Sequence, residues 1–271
     1  MIRVLFLWLL SCFLLTQTMQ AQNAEDFYNR GINKFKAKDY TGALDDFNKA
    51  IQMKPGYANA YFNRGTLRYL LNDMVHAIAD FDKVIELDAK NANAYLNRGM
   101  AKKSINDYES AITDYNKALA IDSNFAKAYE NRAIARFNSK DTLGAMTDFS
   151  RAIENTPQNY MLYYNLAILK KTTGDYAAAL ENYDWVIKLN PAYADAWFNR
   201  GLVKFFLKDY SGSITDYNKV LELNPAKLDA VYNRGISRIM AEDKTGGCAD
   251  LQTALQANYP MAAQSIETYC K

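Results

Sequence analysis

The sequence predicts an all-α solenoid of seven helix-turn-helix units, and three observations carry that expectation. The first is a strict period of 34 residues: Asn29-Arg30-Gly31 returns as Asn63-Arg64-Gly65 and Asn97-Arg98-Gly99. It continues as Asn131-Arg132-Ala133, Asn165-Leu166-Ala167, Asn199-Arg200-Gly201 and Asn233-Arg234-Gly235. A fixed period of this length marks stacked units, each burying its apolar face against its neighbours. The second is an alternation of large and small side chains at helical spacing inside every period. The third is punctuation, with an aspartate in the middle of each unit and a proline near the end of several.

With Ala24 opening the first unit, the repeats run 24–57, 58–91, 92–125, 126–159, 160–193, 194–227 and 228–261. The fourth position is large: Phe27, Tyr61, Tyr95, Tyr129, Tyr163, Trp197 and Val231. The eighth is small, from Gly31 to Gly235, and so is the twentieth, from Ala43 to Gly247. The twenty-fourth is large again: Phe47, Phe81, Tyr115, Phe149, Tyr183, Tyr217 and Leu251. Two amphipathic helices of about 14 residues satisfy this pattern, the small residues letting the backbones approach. Asp39, Asp73, Asp107, Asp141, Asp175, Asp209 and Asp243 stand where the second helix needs an N-cap. Pro55, Pro157, Pro191 and Pro225 follow that helix and cannot continue it.

The ends differ from the repeats. Residues 1–21 read as an export signal, with Arg3, an apolar run from Val4 to Leu15, and Ala21 before the cut. That run is shorter than the roughly 20 residues a membrane span needs, so no span is expected after cleavage. Leu9-Leu10-Ser11-Cys12 also resembles a lipobox, and lipidation at Cys12 stays open beside cleavage near Ala21. The expected location is the periplasm, the cell envelope or the medium. At the other end, Ala262, Ala263, Ile266 and Tyr269 are spaced for a capping helix over residues 262–271. Cys248 and Cys270 would remain after cleavage, and an even count in an exported chain permits a disulfide between them.

Composition narrows the function classes. A hydrophobic content of 49% supplies a core, and a formal net charge of +2 argues against nucleic acid, which needs a basic stripe. Carboxylates recur with the repeat, which marks them as structural. His76 is the only histidine, and no CxxC or HExxH spacing, phosphate loop or nucleophile elbow occurs. No enzyme, cofactor or metal site is expected.

The signature positions closely resemble those of the tetratricopeptide repeat family over residues 24–261. The resemblance implies a right-handed α-α superhelix and a protein-binding role. It also shows two departures. The eleventh position, usually aromatic in the family, is basic throughout (Lys34, Arg68, Lys102, Arg136, Lys170, Lys204, Arg238), and the seventh is arginine in six repeats. The twenty-third is aspartate in all repeats but the fifth, where Asn182 accompanies the loss of the arginine to Leu166. The joint loss suggests that the two pair within a unit, as Arg64 with Asp80. As a semi-exposed pair this would contribute about 0–1 kcal/mol.

In the family, the inner groove is lined by the first helix of each unit. Carried over, the sixth position places Asn29, Asn63, Asn97, Asn131, Asn165, Asn199 and Asn233 in that groove. The fifth adds Tyr28, Phe62, Tyr164, Phe198 and Tyr232 beside them. An amide offers both donor and acceptor, so a column of them matches an extended peptide backbone. The column resembles the asparagine ladder in the superhelix of O-GlcNAc transferase. The carboxylate clamp of other family members is not matched, since Tyr28 and Ile32 stand where it needs polar groups. The expected partner is a peptide or protein. Alternatives are a structural subunit of an envelope assembly, or glycan binding through Trp197, Phe198 and Tyr164.

Overall fold

A computed structural model describes residues 23–271, so the expected export signal and Cys12 lie outside the described residues. All regular structure within that range is helical. The first helices of the repeats are α1 (Ala24–Lys36), α3 (Ala58–Leu70), α5 (Ala92–Ser104), α7 (Ala126–Asn138), α9 (Tyr160–Thr172), α11 (Ala194–Phe206) and α13 (Leu228–Met240). The second helices are α2 (Tyr40–Met53), α4 (Met74–Leu87), α6 (Tyr108–Ile121), α8 (Thr142–Asn155), α10 (Tyr176–Leu189), α12 (Tyr210–Leu223) and α14 (Lys244–Gln256). A short α15 (Ala262–Tyr269) closes the chain. Each first helix opens at the residue that opens its 34-residue period.

Local chemistry sets these boundaries. Every turn aspartate caps its second helix, as Asp39 accepts from the Gly42 N–H and Asp243 from the Gly246 N–H. Just before it the chain passes through the left-handed region, at Lys38 (φ 63°), Asn72 (φ 63°) or Gly174 (φ 80°). The aspartate N–H then reaches back five residues, Asp39 to the Lys34 carbonyl at 2.9 Å, which closes the first helix in a Schellman-type turn. The periodicity did not reveal this conformation, because lysine or glutamate occupies it in four repeats.

The chain gathers into two compact units, one ending at Ser123 and the other beginning at Asn124. The first three repeats fall in one unit and the last four in the other. Within each unit the helix pairs pack as the large–small pattern requires. The Tyr115 ring lies so close to Gly99 that a Cβ there would sit 2.6 Å from it. Phe47, Phe81, Tyr115, Tyr183 and Tyr217 are wholly buried. Each contributes about 1.5–3 kcal/mol of apolar burial.

Candidate functional site

A buried polar fork in every repeat but the fifth ties the first helix to the second. In the second repeat Arg64 Nη2 lies 2.6 Å from Asp80 Oδ1, and Arg68 Nη1 lies 2.7 Å from Oδ2. The basic eleventh position is thereby explained: it takes the carboxylate oxygen that the seventh leaves. The same fork forms on Asp46, Asp114, Asp148, Asp216 and Asp250, all nearly inaccessible. The expected semi-exposed pair is corrected here, since only the cations reach solvent. Arg64 also donates to Asn48 of the preceding repeat at 2.7 Å, and Arg200 to Asp184 at 2.6 Å, so the fork stitches repeats together. In the fifth repeat Leu166 enters an apolar cluster with Leu162 and Phe149, and Lys170 turns to Asp175 at 3.1 Å.

The sixth-position asparagines do not form a uniform column. Asn63 Nδ2 donates to the Tyr28 hydroxyl at 3.0 Å and to the Asn59 carbonyl at 3.0 Å. Asn199 Nδ2 donates to the Tyr164 hydroxyl at 3.2 Å, while its Oδ1 accepts from Lys171 Nζ at 2.6 Å. Burial holds the Lys171 ammonium below the ordinary lysine value and pushes the Tyr164 hydroxyl up. Asn131 is only 3% exposed and donates to the Lys127 carbonyl. It is enclosed and not open to a ligand. Asn233 donates to the Asp229 carbonyl at 2.7 Å, and Asn29 is exposed on α1.

Two asparagines are different. Asn97 lines a cavity of about 210 Å³ with Thr66, Tyr69, Phe81 and Met100. Asn165 lines one of about 330 Å³ with Ile134, Phe137, Phe149, Ile168 and Leu169. Both cavities have the same construction, from ninth, twelfth and twenty-fourth positions of one repeat and sixth and ninth of the next. Neither amide has a hydrogen-bond partner among the described residues. A third cavity, of about 300 Å³, lies between Phe205, Asn233, Ile236 and α15.

The fifth-position aromatics pack against other rings of the stack, Tyr28, Phe62, Tyr164 and Phe198 remaining half-buried. Tyr28 packs against Tyr57 with ring centres 5.0 Å apart, and Tyr164 against Tyr193 at 5.1 Å. Phe62 sits edge-on to Phe81, and Phe198 lies against Tyr217 under Lys227. Tyr232 is buried, and its hydroxyl meets the Ser265 hydroxyl of α15 at 2.8 Å. Trp197 is covered by Arg200 and donates its Nε1–H to the Pro191 carbonyl at 2.8 Å. At the chain end the Cys248 and Cys270 sulfurs lie together as a pair, with Cα atoms 5.8 Å apart. His76 is exposed and bonds Asp73, and no helix among the described residues is long and apolar enough to cross a membrane.

The sequence model described as "Tetratricopeptide repeat" matches residues 28–92 and 164–227, and a second model of the same description matches 92–125. No curated protein matches the chain. Among solved structures, the C-terminal part of a TPR repeat-containing protein from Cytophaga hutchinsonii superposes with a TM-score of 0.76 at 17% identity, covering 88% of this chain and 98% of that one. A tetratricopeptide repeat protein from Parabacteroides merdae gives 0.64 at 18% identity, covering 93% and 100%. YrrB, described as a TPR protein with an unusual peptide-binding site, gives 0.60 at 23% identity, covering 68% and 95%. At these identities the likeness is one of fold. The repeated helix pairs, the signature spacing and the sequence match together establish that the chain belongs to the tetratricopeptide repeat family.

Proposed function

We propose that the chain is an exported, non-enzymatic scaffold that binds an extended segment of a partner protein on the faces of its first helices. One observation carries this reading. Asn97 and Asn165 each line a largely apolar cavity with an amide that has no partner among the described residues, Thr66 and Tyr69 adding hydroxyls at Asn97. A peptide group supplies one donor and one acceptor, the complement of such an amide, while its side chain fills the apolar space. A fold neighbour described as peptide-binding supports the same direction.

The test is capture of partners from an envelope fraction by the wild-type chain and by Asn97→Ala/Asn165→Ala. The double variant is expected to retain the thermal transition and to lose the captured partner. Unchanged capture by a folded double variant refutes the reading.

Export rests on Arg3, the short apolar run and Ala21. It would deliver Cys248 and Cys270 to a compartment where a disulfide persists. Amino-terminal sequencing of the mature protein is expected to begin near Gln22; intact Met1 in the soluble fraction refutes export.

A further inference from the structure

We infer that a tyrosine at the fifth position of one repeat closes the binding subsite of the next. Ligand contact is then open at Asn97 in one compact unit and Asn165 in the other, and closed at Asn63 and Asn199. The inference rests on the peptide-binding reading above and sharpens it. It replaces a continuous amide ladder with single subsites that each select an apolar side chain.

Two repeat junctions show closure with the same geometry. Tyr28 and Tyr164 each send a hydroxyl to the asparagine 35 residues onward, at 3.0 and 3.2 Å. Each ring is held by a second tyrosine at the end of its own repeat, Tyr57 or Tyr193. Only the first and fifth repeats carry tyrosine at both places. A phenol hydroxyl already bonded to the amide competes with any peptide carbonyl for the same donor. At Asn199 the acceptor is occupied too, by Lys171.

The open junctions lack that hydroxyl. Phe62 precedes Asn97 and has no polar atom to offer. Glu130 precedes Asn165 and is turned to Lys127 at 2.8 Å. In both cases the amide lines a cavity walled mainly by apolar side chains, with the Thr66 and Tyr69 hydroxyls as further polar atoms at Asn97.

Those walls define the occupant. A charged side chain entering the Asn165 cavity would meet Phe137, Phe149 and Ile168 with no counter-charge among the lining residues, and burial of an unpaired charge is heavily disfavoured. A backbone amide followed by an aliphatic or aromatic side chain satisfies both the lone asparagine and the apolar space. The ligand class is an extended peptide segment bearing an uncharged, apolar side chain at the contact point.

The test follows asparagine side-chain amide resonances by NMR in the full exported chain. The probes are two blocked peptides, Gly-Ser-Gln-Leu-Gln-Ser-Gly and the same peptide with glutamate replacing leucine. The leucine peptide is expected to shift the Asn97 and Asn165 amides saturably. Asn63 and Asn199 should stay still, and the glutamate peptide should bind at least roughly tenfold more weakly. Asn165→Ala is expected to weaken the leucine peptide at that subsite by about two- to tenfold, the value of one neutral hydrogen bond. Tyr164→Phe keeps the ring packing and removes only the hydroxyl, so the Asn199 amide should join the responding set. Equal response of all four amides in the wild type overturns the closure while leaving peptide binding intact. A silent Asn199 in a folded Tyr164→Phe variant overturns the role assigned to the hydroxyl. No response at any asparagine overturns the peptide-binding reading itself.

Discussion

Arg64 and Asp80, sixteen residues apart, meet with Nε 3.0 Å from Oδ2 and Nη2 2.6 Å from Oδ1, and the aspartate is 2% exposed. Removing one partner of a buried, hydrogen-bonded ion pair costs about 3–5 kcal/mol, because the other charge stays behind uncompensated. Asp80→Asn is therefore expected to destabilise by about 3 kcal/mol in urea denaturation. Arg64→Leu with Asp80→Asn reproduces the pair found in the fifth repeat, Leu166 and Asn182, and should recover much of that loss. Arg68 would then have Asp73 nearby, as Lys170 has Asp175. Strictly additive losses in the double-mutant cycle refute the coupling.

Tyr115 carries a hydroxyl that is buried without a partner among the described residues, as does Tyr183. A buried unsatisfied polar group costs about 1–3 kcal/mol. Phenylalanine occupies the equivalent place at Phe47, Phe81 and Phe149, so the surrounding space accepts the ring alone. Tyr115→Phe is expected to stabilise the chain by about 1 kcal/mol. A lower denaturation midpoint for this variant would show that the hydroxyl has a bonded role.

The cap depends on few contacts: Ala262 is buried, Ser265 meets Tyr232, and Cys270 is paired with Cys248. A bridge separated by 22 residues contributes roughly 3 kcal/mol in the chain-entropy treatment. Cys270→Ser is expected to raise hydrogen exchange across Ala262–Tyr269 while leaving the residues before Ser123 unchanged. Thiol labelling of the unfolded, non-reduced protein decides the bridge, and two reactive thiols exclude it.

Asp46 offers a pH signature. The hydrogen bond from Arg30, aided by Lys34, holds its carboxyl down at about 2 against the opposing effect of burial. The folded value lies below the ordinary 3.8, so the associated stability is present above pH 4. It is lost as pH falls from about 4 towards 2. The difference in denaturation midpoint between the wild type and Asp46→Asn should be constant above pH 5 and shrink towards pH 2. A difference that does not change with pH refutes the assignment.

The period and the local chemistry of the chain by themselves determined the helices, the aspartate caps and the partnership of arginine with aspartate. Each depends on contacts within one helix pair, where 3.6 residues per turn fixes which side chains share a face. The joint change at Leu166 and Asn182 made the partnership legible without coordinates.

Tertiary structure alone decided which asparagines are open. Asn63 and Asn97 occupy the same place in their repeats, yet one is bonded by Tyr28 and the other faces a cavity. That difference is set across repeats, by how far a phenol reaches over the stacking distance, and no spacing within one repeat encodes it. Burial of Asp80 was hidden for the same reason, since a carboxylate looks solvated until the neighbouring helix covers it. The pairing of Tyr232 with Ser265 also needed the fold, since Ser265 stands 33 residues on and outside the 35-residue spacing of the tyrosine–asparagine contacts.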